Sequence, residues 1–371
     1  MLSRVGEKEV RMVSSPLRKA VVAVAAFVSI VSVSSRQVAG QAPAKSPARA
    51  ASGKAYVPPK TPWGDPDLQG NFTNKYEQGT PFERPAEFDG KRIEDVQGQE
   101  LADLVKRRQE LAIERAPFLS GDPTGKIAGP MEFRDIYEIS KAGRPWFVVD
   151  PPDGKIPPTT AEGQRRIAAR PRAGSSFSNG VYNSYEDLSL YDRCITRGYP
   201  SSMLPAIYGD SYQIVQGMGF VAIRIEMIHE TRVIPLDNRP HVSQGIALDM
   251  GDPRGHWDGN TLVVETTNFR DRSIYRNGNP GKMRLIEKFT RVAPGTIEWA
   301  VTVDDPTTWS RPWTFSMPLT MNDAEPVYEY ACHEGNYAIR NILNGSRASE
   351  AARLTSAAAA KKEGEKEIEK K

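Results

Sequence analysis

Cysteine and histidine are the scarcest chemically versatile residues of this chain. Its 371 residues include two cysteines and four histidines, and no C-x-x-C, H-x-x-x-H or H-E-x-x-H spacing occurs among them. Walker loops and the G-x-G-x-x-G fingerprint are also missing, so no nucleotide cofactor is expected. The longest uncharged apolar run, residues 20–33, has 14 residues. A membrane-spanning helix needs about 20, so this run is too short to cross a bilayer.

The position of this run near the N-terminus is typical of an export signal. Arg18 and Lys19 precede it, and small residues follow it up to Gln41. This order predicts a secretory signal peptide over residues 1–40, removed before Gln41. The alternative is an uncleaved signal that stays as a membrane anchor. We expect a periplasmic or secreted protein with no stable membrane insertion after cleavage.

The excess of basic charge belongs to the same segment. Residues 1–40 hold six Lys and Arg against two Asp and Glu, which leaves a net charge of −1 for residues 41–371. A nearly neutral mature chain gives no global electrostatic basis for binding nucleic acid, so no such partner is expected. The two acidic residues are unusual in a signal peptide, which leaves both Met1 and Met12 open as the start.

The two cysteines, Cys194 and Cys332, are expected to form a disulfide. Export places them in an oxidising compartment, where an even number favours pairing. Two alternatives stay open from the sequence, because it does not give the distance between the two residues. They are a pair of buried thiols, or Cys332 as a metal ligand beside His333.

Composition divides the mature chain into three parts. Residues 41–60 are rich in Ala, Pro, Ser and Lys, which predicts a flexible linker. Residues 61–345 predict one mainly β domain, with 61–180 as an extended and helical wrap and 181–345 as a barrel. Residues 346–371 are rich in Ala, Glu and Lys and predict a charged tail, either a solvated helix or disordered chain.

Strand signals recur from Tyr212 onward. Seven or eight short runs, the last at Val327–Ala331, are separated by turn residues such as Gly259-Asn260. Alternation predicts one shared face in each of two runs, formed by Val221, Ile223, Ile225 and Met227 in the first and by Ile297, Trp299, Val301 and Val303 in the second. An antiparallel meander of about eight strands closes into a barrel or folds as a sandwich. We therefore expect a mainly β fold, a lipocalin-like antiparallel barrel, with an extended N-terminal segment and one helix at Ile93–Arg115. Such a barrel holds one small ligand or is filled by side chains.

The four histidines all lie in polar motifs of the strand-rich region. They permit a metal site for zinc, copper or iron, metal-free acid–base catalysis, ligand binding, or purely structural roles. No cofactor is assigned; a divalent metal is possible, with all four histidines as candidate ligands. The residues predicted to run acid–base chemistry are His229, His256, His333, Glu226 and Asp237, with Arg232 and Tyr330 to hold an anionic intermediate. The residues predicted to bind the ligand are His241, Arg254, Trp257 and Glu334.

Several motifs resemble those of a large family of exported bacterial proteins of unknown function. They are TPWGDPDLQG, EMIHETRVIPLD, GHWDGNTLVVETTNF and YEYACHEGNY, in this order. The resemblance covers roughly residues 61–345 and implies export and the domain boundaries, without implying an activity. The stretch GHWDGNTLVVET also resembles the strand entry of some lipocalin-like barrels, which is an analogy of fold and not of function.

Three functions follow as hypotheses. The first is an extracytoplasmic hydrolase, lyase or isomerase that acts on a small organic or sugar-like substrate through histidines and carboxylates, with or without a metal. The second is a non-catalytic barrel protein that binds a small molecule. The third is an envelope interaction protein that uses the linker and tail as spacers. Histidines that converge with carboxylates in one open pocket would favour the enzyme.

The signal peptide generates the first prediction. When the full-length gene is expressed in a Gram-negative host, the exported protein should have the mass of residues 41–371, because cleavage follows the small residues before Gln41. Intact-mass spectrometry of the periplasmic or extracellular fraction measures this. A mature protein that still contains residues 20–33 would instead support the membrane anchor.

Overall fold

Ten β-strands form the framework of the computed structural model, which describes residues 56–115, 143–170, 182–206 and 208–369. All of them belong to one compact unit, Lys45–Lys371. The predicted signal peptide and most of the predicted linker lie outside the described residues. The strands are β1 Gly70–Thr73, β2 Val148–Asp150, β3 Ser211–Gly217, β4 Phe220–Ile225, β5 Thr231–Pro235, β6 Asp252–Asp258, β7 Thr261–Thr267, β8 Arg284–Ala293, β9 Thr296–Asp304 and β10 Trp313–Met321.

Nine of these strands form one antiparallel sheet that curves into a nearly closed barrel. Their order is β5-β4-β3-β1-β10-β9-β8-β7-β6, and β2 pairs with β10 off this path. The mainly β barrel expected from the sequence is therefore confirmed. Its predicted start at residue 181 needs correction, because β1 pairs with both β3 and β10. Proline-rich neighbours hide this four-residue strand from pattern analysis.

The barrel closes at a seam between β5 and β6. Nine strands that alternate in direction leave the first and last ones parallel, so an antiparallel ladder cannot join them. The two strands approach each other through side chains instead. At Gly255 of β6, a Cβ would lie 2.8 Å from Ile234 Cγ2 and 2.7 Å from Leu236 Cδ2. Glycine is needed there because any side chain would push the seam apart.

The two ends of the barrel differ in their connections. At the hairpin end, two-residue turns join β3 to β4, β6 to β7 and β8 to β9. Gly219 and Gly259 adopt positive φ in the first two turns, as tight hairpins require. The opposite end, here called the loop end, carries the long connections that follow β4, β7 and β9. Long loops on a rigid scaffold are where binding residues concentrate.

The barrel interior is filled by side chains. Ile297, Trp299, Val301 and Val303 of β9 are all 0% exposed, which confirms the face predicted from their alternation. Trp313 and Phe315 of β10 pack against one another with ring centroids 6.1 Å apart and an interplanar angle of 39°. The ligand-filled interior of a lipocalin is therefore not the arrangement of this barrel.

The described residues include three α-helices. The sequence predicted one of them and did not decide whether the tail is helical or disordered. Helix α1 spans Gly98–Arg115, and Ile93–Asp95 before it form a separate 3-10 turn. Helix α2, Ala161–Ala169, begins at Thr160, whose hydroxyl accepts a hydrogen bond from Gly163 N. Helix α3, Ala338–Glu369, includes most of the predicted tail. No helix in the described residues is long and apolar enough to cross a membrane.

One predicted strand is absent. Val327–Ala331 has the alternation of a strand, yet these residues form an irregular segment. Tyr328 is 60% exposed, and the segment has no strand beside it to supply a ladder. An isolated stretch with good strand propensity stays irregular when tertiary structure offers no sheet edge.

A buried ion pair lies inside the barrel. The guanidinium of Arg232 on β5 donates to both carboxylate oxygens of Glu287 on β8, at 3.2 and 2.8 Å. It also donates to Thr266 Oγ1 on β7 at 3.0 Å. Burial has the largest single effect and lowers the pKa of Arg232, but the charge of Glu287, the nearby Tyr199 and the hydrogen bond to Glu287 together raise it above its usual value. The hydrogen bonds of Arg232 run from β5 to β7 and β8, and β6 lies between β5 and β7. They therefore cross the seam between β5 and β6, where no backbone ladder joins the strands.

Two aromatic donors complete the environment of Glu287. Trp299 Nε1 donates to Glu287 Oε1 at 3.1 Å, and the Tyr199 hydroxyl donates to the same oxygen. The Arg232 guanidinium also lies 3.5 Å from the centroid of the Tyr199 ring. Tyr199 belongs to the segment 196–203, which enters the barrel from the loop end and is here called the plug segment. A buried carboxylate is tolerated only with such a set of donors.

The ion pair gives the second prediction. The substitution Glu287→Ala should lower the free energy of unfolding by about 3–5 kcal/mol, because it leaves the Arg232 charge buried without its partner. Urea denaturation followed by tryptophan fluorescence measures this. Lys288→Ala, the neighbouring outward-facing position, should change stability by less than about 0.5 kcal/mol. Equal effects of the two substitutions would contradict a role of the pair in closing the barrel.

Candidate functional site

The turn between β4 and β5 has a strained backbone at the loop end. Ile228 and His229 both adopt positive φ, 55° and 47°. A β-branched residue in this region is a true outlier. Hydrogen bonds from His229 N to Glu226 O (2.9 Å) and from Ile225 N to Glu230 O (2.8 Å) hold the turn. Burial of the Ile228 side chain offsets part of the strain, and His229 is left exposed.

Two glutamates flank this turn. Partial burial raises the pKa of Glu226, although hydrogen bonds from the Ser211 side chain and the Tyr328 backbone oppose the rise. Burial raises the pKa of Glu230 as well. Glu230 accepts hydrogen bonds from Ser202 Oγ at 2.6 Å and from Thr196 Oγ1. Glu230 therefore attaches the plug segment to the start of β5.

His229 holds the irregular segment 322–337 against the turn. Its Nδ1 lies 3.0 Å from the carbonyl oxygen of Tyr330. A carbonyl only accepts, so Nδ1 carries the proton, and Nε2 is the acceptor in the neutral ring. His229 thus positions the backbone of Tyr330.

The predicted disulfide is confirmed. Cys194 and Cys332 are bonded, with their Cα atoms 5.7 Å apart. This separation lies in the usual range for a disulfide. Asn336 Nδ2 lies 3.2 Å from Cys194 Sγ and 3.3 Å from Asp192 O, which adds a second link between the same parts of the chain. The disulfide joins the segment before the plug to the segment 322–337.

A groove of about 490 Å³ lies between these two segments and is open to solvent. This tyrosine groove is lined by Tyr191, Asp192, Cys194, Tyr208, Glu329, Tyr330, Ala331, Cys332, Glu334, Gly335 and Asn336. Its volume is in the range of small-molecule sites. The sequence pointed to Tyr330, Glu334 and the two cysteines in this set, and it missed the others.

The three tyrosines form one connected cluster. The rings of Tyr208 and Tyr330 stack with centroids 6.1 Å apart and an interplanar angle of 17°. The hydroxyls of Tyr191 and Tyr208 are 2.8 Å apart. Burial and the Tyr208 hydroxyl raise the pKa of Tyr191 to about 12, and burial also raises the pKa of Tyr330. Tyr191 and Tyr330 therefore present neutral phenols at neutral pH.

Behind the cluster lies a buried acid. Asp210 accepts hydrogen bonds from Ala206 N at 2.9 and 3.1 Å and from Gln78 Nε2 at 3.2 Å. Burial raises its pKa to about 8, against the opposing effects of the Ala206 hydrogen bond and the Arg197 charge. The guanidinium carbon of Arg197 lies 5.7 Å from the centroid of the Tyr191 ring. Perturbed pKa values concentrate at functional sites.

The remaining predicted residues are dispersed. His241 lies on the outer wall, with Nδ1 3.0 Å from Asp252 Oδ2 and Nε2 3.3 Å from Glu265 Oε1. Arg254 Nη1 donates to Asp252 Oδ1 at 2.5 Å, in the same surface network. The predicted ligand-binding pair His241 and Arg254 thus ties the connection before β6 to the barrel wall.

Two other pairs lie away from the groove. His256 is exposed on β6, and Trp257 beside it packs partly against the core. Asp237 is exposed and paired with Arg239 Nε at 2.8 Å, which lowers the pKa of this carboxyl to about 2. His256 and Trp257 lie within β6 close to its end, and Asp237 follows the end of β5.

Arg232 and His333 complete the predicted set. Arg232 is inside the filled barrel, paired with Glu287, and therefore does not face a substrate. His333 follows Cys332 and is exposed beside the groove-lining residue Glu334. Of the four histidines, only His241 lies within hydrogen-bond distance of carboxylates. Among the described residues, no group of three or more His, Cys, Asp or Glu side chains is arranged to hold a metal ion.

Comparison with protein-family models, with curated proteins and with solved structures found no match. The resemblance to exported proteins therefore stays a prediction. The fold and site themselves define the class, which is a mainly β antiparallel barrel protein with a tyrosine-lined groove at its loop end.

Asp210 generates the third prediction. Its pKa is about 8 in the folded chain and near 3.8 when unfolded, so the folded state retains a proton that the unfolded state has released. This group therefore causes stability to fall as the pH rises from about 4 to about 8. The substitution Asp210→Asn should flatten that part of the stability profile.

Urea denaturation across this pH range measures the effect. Asp237→Asn is the matched control, because Asp237 is exposed and its pKa is already low in the folded state. The control should keep the wild-type slope between pH 4 and 8. An unchanged slope in Asp210→Asn would contradict a protonated, buried Asp210.

Proposed function

We propose that this protein is an extracytoplasmic small-molecule-binding protein whose ligand occupies the tyrosine groove. One observation carries the proposal: a groove of about 490 Å³ is lined by three connected tyrosines and bridged by the only disulfide. Aromatic walls with a few polar groups are the usual composition of a small-molecule site. The predicted export signal and the resemblance to exported proteins support the extracytoplasmic location.

The rigidity of the walls also favours binding. Disulfide Cys194–Cys332 links them covalently, and His229 and Asn336 add hydrogen bonds. A site that is held in its bound shape loses less conformational entropy when the ligand enters. The filled barrel interior argues that the ligand binds at the loop end and not inside the barrel.

Binding is preferred here to acid–base catalysis because of the histidines. A catalytic histidine needs a partner that orients it and an open site for the substrate. His241 has carboxylate partners but belongs to a surface network on the outer wall. His229 borders the groove but contacts a backbone carbonyl and no carboxylate.

The fourth prediction tests the groove. A library of small neutral, cationic and anionic organic compounds should contain weak binders of the wild-type protein, detected by saturation-transfer NMR. The substitution Tyr330→Ala should weaken these binders by about tenfold, because it removes one aromatic wall. Tyr337→Ala should leave them unchanged, since Tyr337 is 68% exposed and does not line the groove.

Two results would contradict the proposal. In the first, no compound binds the folded wild-type protein. In the second, compounds bind Tyr330→Ala as tightly as they bind the wild type, which would move the ligand site elsewhere. Near-ultraviolet circular dichroism verifies that both variants keep their tertiary structure.

A further inference from the structure

The charges that line the tyrosine groove have one sign. Asp192, Glu329 and Glu334 contribute carboxylates, and no Lys or Arg is among the eleven lining residues. Glu329 and Glu334 are exposed at the rim, where the field of a carboxylate reaches an entering ligand. A surface of one charge sign favours a ligand of the opposite sign and disfavours an anion.

The aromatic rings that line the groove also favour a cationic ligand. The face of a tyrosine ring carries negative electrostatic potential and attracts an organic cation within about 6 Å. Tyr208 and Tyr330 form one wall through their stacked rings, and Tyr191 adjoins it through its hydroxyl. Burial raises the pKa of Tyr191 and Tyr330, and these two phenols stay neutral. The attraction comes from the rings and the rim carboxylates together.

One cation of the protein already lies against a tyrosine ring of the groove. Arg197 lies with its guanidinium carbon 5.7 Å from the Tyr191 ring centroid, outside the set of lining residues. The Tyr191 ring therefore accepts a cation at this distance. Arg197 is half-buried, and burial raises the pKa of the nearby Asp210 to about 8, so this acid is largely protonated at neutral pH and cancels little of the Arg197 charge.

We propose that the tyrosine groove selects small organic cations, with an alkylated ammonium group against Tyr208 and Tyr330 and the rim carboxylates of Glu329 and Glu334 beside it. This inference rests on the proposed function, since it names the ligand class of the same site. The groove is larger than a single ammonium group, so the remainder of the ligand contacts the other lining residues, among them Asn336.

An isosteric pair of probes isolates the charge. Choline and 3,3-dimethylbutan-1-ol have nearly the same shape, but only choline is charged. Binding of each to the folded, disulfide-bonded protein is measured by NMR titration at fixed ionic strength. We expect choline to bind at least about fivefold more tightly, as the strength of cation–π contacts indicates.

Variants separate the two contributions. The double substitution Glu329→Gln and Glu334→Gln should weaken choline binding about threefold and leave the neutral alcohol unaffected, because partly exposed carboxylates contribute modestly. Glu87→Gln together with Glu186→Gln, exposed acids outside the groove lining, changes the net charge equally and should leave choline binding unchanged. Tyr330→Ala should weaken both probes.

The outcomes separate this inference from the proposed function. If both probes bind equally and both lose affinity in Tyr330→Ala, the groove is a binding site but is not selective for cations. If neither probe binds while library compounds do so through Tyr330, the ligand class is wrong and the site stands. If nothing binds, or if binding is independent of Tyr330, both proposals fail.

Discussion

The ion pair between Arg232 and Glu287 is the interaction on which the rest of the structure depends. A barrel of nine alternating strands cannot close with an antiparallel ladder, and β5 and β6 meet at a seam of side chains. Arg232 reaches across this seam and bonds to β7 and β8. A charge pair in an apolar interior is costly to break, because either partner alone is a buried, unpaired charge. The seam is therefore held where hydrogen bonds between backbones are missing.

The hydrogen-bonded group around Glu287 also determines the geometry of the loop end. Tyr199 of the plug segment donates a hydrogen bond to Glu287, and this contact fixes how far the plug segment extends into the barrel. Glu230 attaches the plug to β5 through two hydroxyls, and the disulfide links the preceding segment to residues 322–337. The walls of the tyrosine groove come from the two segments joined in this way. The shape of the groove thus follows from contacts that begin in the barrel interior.

Pattern analysis succeeded where structure is local. Alternating residues predicted the inward faces of β4 and β9, and glycine-containing turns predicted the hairpins. It failed at β1, which is four residues long and gains its pairing from β3 and β10, and at Val327–Ala331, which has no sheet edge beside it. A strand needs partners, and partners distant in sequence leave no local signal.

The residues of the candidate site show the same difference between local signals and contacts distant in sequence. The motif around His229 and the motif around Cys332 were recognised from sequence, and the structure brings them together at the groove. Tyr191 and Tyr208 were missed, although Tyr191 lies three residues before Cys194, and the expected disulfide pointed to that neighbourhood. Arg232 was assigned to a reaction intermediate, but its partner Glu287, 55 positions away, holds it in the core. Glu287 itself carried no sequence signal, because it occupies an ordinary position in an alternating strand.

By itself the sequence determined the strand-rich fold and the hairpin turns, which follow from spacing and backbone geometry. It predicted the disulfide from the oxidising compartment expected for an exported chain, and the distance in the structure confirmed it. Only the tertiary structure decided which polar residues are core, which are surface and which line the groove. The physical reason is that burial and proximity, which set the charge state and the partners of Arg232, Asp210 and the three tyrosines, depend on contacts between residues far apart in the chain.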